Sequence, residues 1–154
     1  MQDQTYDGTE DGGLEILDLD PGQDREALAV VGDAAPSFTL AFMRSLRDCV
    51  ELVNPAGRLT FMNENGRALM GIEGFDRVRG TVWVDLWPEE SRPLADDALR
   101  RALVGEAVRM TAARRAAGGA LRVWDVTVSP VVNAAGEVET ILSLSREIMT
   151  GAAA

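Results

Sequence analysis

The sequence predicts an α+β domain with a five-stranded antiparallel sheet and its helices segregated to one face. Three observations predict it. The last third alternates apolar and polar residues, most clearly in LRVWDVTVSPVV (121–132). The middle carries apolar residues at helical spacing between Gly and Pro breaks. Sequential strand-like pairs are joined by short turns, which antiparallel pairing permits.

Each element follows in chain order. Residues 1–35 read as an acidic, largely disordered tail, with almost nothing apolar in 1–12. Within it GLEILDLDPG (13–22) has a short apolar centre suited to weak docking, then a turn at Asp20-Pro21-Gly22. REALAVVG (25–32) fits strand or helix equally. A helix is expected over 36–47, with Ser37 placed to cap it and Phe38, Phe42, Met43 and Leu46 at helical spacing. CVELV (49–53), the turn NPAG (54–57) and RLTFMN (58–63) form a hairpin.

Asn63 stands where that hairpin ends and ENGRALM (64–70) begins a short helix, closed by Gly71. Its side-chain oxygen is placed to accept from the backbone N–H of 65 or 66, a cap worth about 1 kcal/mol. Residues 74–90 read as short helical turns and loop. SRPLADDALRRALVGE (91–106) reads as a helix with Pro93 in its first turn and a stripe of Leu94, Ala98, Leu99, Ala102 and Leu103. Then come a strand (107–113), a turn (114–120), the strand 121–132, the turn NAAG (133–136) and a last strand (137–149).

Composition excludes much chemistry. The chain has no His and no Lys. His-ligated haem, His-bound zinc, Ser-His catalysis and a phosphorylated histidine are therefore excluded, as are Schiff bases and P-loops. Cys49 is the only cysteine, which fits a reducing compartment and gives no metal-site spacing. The N-terminus lacks the basic and apolar regions of a signal peptide, so a cytoplasmic location is expected. No run reaches 18 apolar residues, so no membrane helix is expected.

The net charge of −10 is concentrated in the tail. Residues 1–35 hold ten acids and one Arg, and residues 36–154 hold fifteen acids and fourteen Arg. The domain is thus almost neutral, and nucleic acid and anionic membranes are not expected partners. Glu89/Glu90 and Asp96/Asp97 are adjacent pairs that do not face each other on a helix. They read as solvated surface, so no catalytic residue and no metal ligand is assigned.

Three stretches together resemble a PAS domain, a bacterial sensory module, over roughly residues 47–150. VELVNPAGRLTFMNENGRALMG resembles that family's first hairpin, its Asn and the following helix. LRVWDVTVSPVVNAAGEVETIL resembles its long central hairpin. SLSREIMT resembles its closing S-R-D-I-T signature, with Glu147 in the Asp position and Met149 inserted. The resemblance implies a PAS-like domain over 48–150 preceded by a cap helix over 36–47, through which such modules often dimerise. It also implies a pocket between the sheet's inner face and the helices.

Alternation assigns that pocket's lining. Trp124, Val126 and Val128 face inward, with Ile141, Ser143 and Ser145 across the turn and Val108, Met110 and Ala112 by parity. Glu51 is a polar member on the first strand. The helical side offers Leu69, Ile72, Phe75, Trp83, Leu86, Trp87 and Leu99. Core packing is the competing reading for each. In DLWPEE (85–90), Trp87 is held extended by Pro88 and reads either as a packed core residue or as a lid over a ligand.

The family's cofactors are tested one by one. Haem-binding members generally need a His. The flavin-Cys photoreceptors and the p-coumarate binders need a Cys that the equivalent region, GIEGFDRVRG (71–80), lacks. Ser145 stands where the flavin members place a flavin-contacting Gln. No cofactor is therefore assigned, although non-covalent flavin, stacked on Trp83 or Trp87 and bonded by Glu51 or Ser143, is compatible with these residues. The expected function is sensing and signal transduction without catalysis. Its expected partners are a second copy, through Phe38, Phe42, Met43 and Leu46, and a histidine kinase or other signalling protein. A small-molecule ligand is the alternative input, and a small enzyme is the third reading, for which alternation offers only Glu51, Ser143 and Ser145 as polar interior residues.

Overall fold

The computed structural model describes residues 13–18 and 20–148. The stretch 1–12, expected to be disordered, and the end of the closing signature, Met149 and Thr150, lie outside them.

The sheet is antiparallel, as the short turns require, but has six strands where five were expected. Their order is β1-β4-β5-β6-β2-β3. The strands are β1 (Leu14–Ile16), β2 (Cys49–Val53), β3 (Leu59–Met62), β4 (Val108–Arg115), β5 (Leu121–Val132) and β6 (Val138–Glu147). The additional strand β1 lies against β4, with Leu14 opposite Met110 and Ile16 opposite Val108. Without it, β4 would be an edge with unpaired N–H and C=O groups. Leu14 also buries its side chain in the core.

The described residues from 13 to 35, placed by the sequence reading in a largely disordered tail, include strand β1 and a helix. Asp20-Pro21-Gly22 is not a turn but the start of helix α1 (Pro21–Val31). The Asp20 carboxylate accepts from the N–H of Gly22 at 2.9 Å and of Gln23 at 3.4 Å. Asp before Pro serves a helix start as well as a turn, because Pro tolerates the first helical position. Helix α2 (Ala35–Ser45) follows a single 3-10 turn at Gly32–Ala34. It begins two residues before Ser37, so Ser37 does not cap it; Ala34 holds that position without a side-chain bond.

Neither α1 nor α2 contains a buried residue. By length and composition the stretch Pro21–Ser45, which contains an 18-residue window of mean hydropathy 1.2, is long and apolar enough to cross a membrane. The sequence reading expected no such segment, because no run reaches 18 apolar residues. The structure also breaks it at Gly32 (φ 50°, ψ −133°) into two 11-residue helices. Each is about 16 Å long, against the ~30 Å of a bilayer's hydrocarbon core.

Helix α3 (Glu64–Met70), three 3-10 turns (Phe75–Arg77, Trp83–Leu86, Glu89–Ser91) and helix α4 (Arg92–Leu103) cover the sheet's inner face. Helix α4 presents Ala95, Ala98, Leu99 and Ala102, a stripe at 3.6-residue spacing whose alanines allow close approach. Trp124, Val126 and Val128 are fully buried, and the intervening Asp125, Thr127 and Ser129 are partly exposed, as alternation predicts. Strand β4 runs two residues beyond its expected end. The turn expected at 114–120 is shorter, and Arg114 belongs to the sheet's inward face.

Candidate functional site

The hairpin β2–β3 and helix α3 are joined at one side chain. Asn63 leaves β3 in extended conformation, and its Oδ1 accepts from Gly66 N at 2.9 Å, which caps α3. The same oxygen accepts from Val50 N at 2.9 Å, while Nδ2 donates to Asp48 O at 3.0 Å. Asn63 therefore does more than the cap read from sequence. It satisfies the backbone at the mouth of β2, where β3 has already turned away. That pairing depends on a donor and an acceptor on separate atoms, which the Asn amide offers; an ionised Asp offers acceptors only.

Gly66 lets this corner close. A Cβ at that position would stand 2.6 Å from Asn63 Oδ1 and 2.7 Å from Cys49 Sγ. Cys49 is fully buried on β2. Burial first, and then the negative charge of Glu51, push its thiol far above the ordinary range. It is an inert packing group rather than a nucleophile.

Deeper in the interior lies a charged pair. Glu51, on β2, and Arg114, on β4, are almost completely buried. Arg114 Nη1 lies 3.1 Å from Glu51 Oε1, and Nη2 lies 3.4 Å from Oε2. This two-pronged match satisfies both carboxylate oxygens. Burial pulls the Arg114 pKa down, and the charge and hydrogen bonds of Glu51 more than offset it, leaving it raised. A buried guanidinium requires this partner, because an unpaired buried charge costs several kcal/mol.

Three indoles surround the pair. Trp83 Nε1 donates to Glu51 Oε1 at 3.4 Å. The Arg114 guanidinium stands over the Trp87 ring, 5.1 Å from its centroid. Trp83 and Trp87 meet edge to face at 5.6 Å. Trp124 Nε1 donates to Arg114 O at 3.1 Å. The pair thus links the sheet, through β2, β4 and β5, to the 3-10 turn that carries Trp83. Trp87 is held extended (φ −90°, ψ 144°), as Pro88 demands, and it packs into the core.

Three polar atoms in this interior have no partner: Trp87 Nε1, Ser143 Oγ and Ser145 Oγ. Ser143 lies opposite Glu51 in the sheet, and Ser145 lies opposite Cys49. Each unsatisfied buried group costs about 1–3 kcal/mol, so their presence here calls for an occupant such as ordered water or a small polar ligand.

The structure brings most of the sequence-assigned lining together. Glu51, Trp83, Trp87, Met110, Trp124, Val126, Val128, Ile141, Ser143 and Ser145 are buried in one interior, as are Val108, Ala112 and Leu99. Leu69, Ile72, Phe75 and Leu86 pack against its rim. Phe38 and Phe42 lie on α2, well apart from it, about half exposed and stacked on each other at 6.2 Å. Met43, also on α2, and Leu46, just beyond its end, are half buried. Sequence reasoning missed Arg114, which it assigned to a turn. The signal for it was parity: Val108, Met110, Ala112 and Arg114 share one face.

The interior does not fit a flavin adduct. The one thiol packs against Gly66 and Met62 at the β2–α3 corner and is held protonated. Among the described residues no group of His, Cys, Asp and Glu is arranged to hold a metal ion.

The model of the PAS fold matches residues 43–150. No curated protein matches the chain. Among solved structures, the chain is similar to an RNA-binding light-oxygen-voltage receptor, at 20% identity and a TM-score of 0.66, with 87% of this chain but only 38% of that one covered. It is similar to a PAS domain from Colwellia psychrerythraea, at 14% identity and a TM-score of 0.64, covering 75% of this chain and 98% of that one. A domain of a light- and redox-sensing histidine kinase described from Haloarcula marismortui matches at 16% identity and a TM-score of 0.57, covering 73% and 99%. At these identities the likeness is one of fold.

Proposed function

The chain belongs to the PAS-fold family, and from that premise we propose that it is a non-catalytic sensory module acting through protein–protein contacts. The observation that carries this reading is the unpartnered apolar face of α2, where Phe38, Leu40 and Phe42 stand half exposed beside a well-packed domain. Apolar area of this kind is uncommon on a lone surface helix and favours a second copy as its cover. The output partner is a histidine kinase or another signalling protein. The signal leaves the domain through the flanking helices when the packing of sheet against Trp83 and Trp87 changes. The module works in the cytoplasm, consistent with its one unpaired cysteine. The near-neutral charge of residues 36–154 argues against a nucleic-acid partner.

Mass in solution tests the reading. The protein should run at twice its 16.6 kDa, and Phe38→Glu/Phe42→Glu should run as a monomer with an unchanged circular dichroism spectrum. A wild-type monomer at every concentration, or a variant that keeps the doubled mass, contradicts it.

The orphaned Trp87 Nε1, Ser143 Oγ and Ser145 Oγ favour a second reading, in which the interior senses a small polar ligand. Native mass spectrometry and an absorbance spectrum of the purified protein separate the two. A bound mass without visible colour supports the polar ligand, a yellow protein identifies a flavin, and neither signal leaves the interaction module alone.

A further inference from the structure

A cleft of about 340 Å³ opens between α2 and the start of α3, away from the interior site. Its apolar wall is Leu40, Met43 and Phe61, and its charged rim is Arg44, Arg67 and Glu64. Arg44 and Arg67 have no carboxylate or carbonyl partner among the described residues, and Arg67 Nε is buried without an acceptor. Elsewhere on this domain arginines are regularly matched, as Arg109 is to Asp125 and Arg146 to Asp48. Two unmatched guanidiniums over an apolar wall fit a short acidic segment that also offers an aromatic side chain.

The chain itself contains such a segment. Residues 1–12 carry Asp3, Asp7, Glu10 and Asp11 with no basic residue, and Tyr6 among them. They join the fold at Gly13, beside β1, at the opposite edge of the sheet from β3. Twelve extended residues reach about 40 Å. Five inter-strand steps separate the two edges by about 24 Å, so the segment is long enough.

We propose that the cleft between α2 and α3 is a docking site for residues 1–12 of the same chain, with their carboxylates on Arg44 and Arg67 and Tyr6 on the apolar wall. The segment then sits beside the exposed face of α2, where it competes with whatever else binds there. This goes beyond the sensory reading and does not depend on it.

The test uses the full chain. Thr9→Cys, which leaves Tyr6 and the four acids in place, is tagged with a nitroxide, while the buried Cys49 stays unlabelled, and amide NMR signals of residues 40–44 and 61–67 are compared with the tag oxidised and reduced. The expected result is intensity loss at those amides in low salt, recovered in 1 M NaCl, where the screening length falls to about 3 Å. The loss should also disappear in Arg44→Glu/Arg67→Glu, and when Asp3, Asp7, Glu10 and Asp11 are replaced by their amides with the tag in place. The second change leaves every residue that lines the cleft in place. Three results overturn the proposal: no loss in low salt, a loss that survives neutralisation of the four acids, or a loss seen only when tagged and isotope-labelled molecules are mixed.

Discussion

Arg114 and Glu51 form an ion pair although two strands, β5 and β6, lie between theirs in the sheet. The register puts Glu51 in one row with Ser143, Val128 and Val108, and Arg114 is six residues beyond Val108 on β4. In a flat sheet their backbones would be roughly 24 Å apart, from inter-strand and per-residue spacings, farther than the two side chains span. They meet because twist accumulates to about 70° over three strand steps and curls the sheet around its inner face. Ser143 and Ser145, small residues on the intervening β6, leave room above them for the pair. Contact between Glu51 and Arg114 is thus a measure of the curvature that encloses the interior, and a change in one reports on the other.

Asn63→Ala should cost about 2–4 kcal/mol: roughly 1 for the lost cap and the rest for leaving Val50 N–H buried without an acceptor. Asn63→Asp keeps the acceptor but cannot donate to Asp48 O, so it should recover only part of that loss. Urea denaturation of the three proteins checks the order wild type, Asp, Ala. Equal stability of Asp and wild type would show that the bond to Asp48 contributes nothing.

Gly66→Ala should destabilise, against its intrinsic helix preference of about 1 kcal/mol in favour of Ala. The new methyl would lie 2.6 Å from Asn63 Oδ1 and 2.7 Å from Cys49 Sγ. Both atoms are buried, so the expected net loss is about 1–3 kcal/mol, as for other overpacked sites. A thermal midpoint at or above that of wild type would mean that the corner yields easily.

Cys49 makes stability fall at alkaline pH. Its folded pKa is raised, so the thiol stays neutral in the native state while the unfolded thiol ionises near its ordinary pKa of about 8.5. Its contribution is fully present below that pH and is lost as pH rises above it, with a slope of at most about 1.4 kcal/mol per pH unit. Cys49→Ala removes this slope. Stability measured from pH 7 to 10.5 checks it, and parallel curves for the two proteins would refute the buried, neutral thiol.

The sheet and its interior were largely legible because their signals are local. Alternation in 121–132 fixes which side chains face inward, and Asn63 and Gly71 mark both ends of α3. The missed features depend on partners far along the chain. Strand β1 is three residues of weak propensity that exist because β4 has an open edge. Helix α1 stayed open between strand and helix, because REALAVVG fits both and its cap, Asp20 before Pro21, also reads as a turn. Arg114 was assigned to a turn because two adjacent arginines followed by AAGGA look like surface. Only Glu51, sixty-three residues away, explains why one of them is buried.

The most direct measurement is a double-mutant cycle on the interior pair, with Glu51→Leu, Arg114→Met and both together, each followed by urea denaturation. Each single change should cost about 3–5 kcal/mol, because it strands a buried charge, and the double variant should lose far less than their sum. Additive losses would contradict it, and would mean that Glu51 and Arg114 do not act as one unit in holding sheet and helices together.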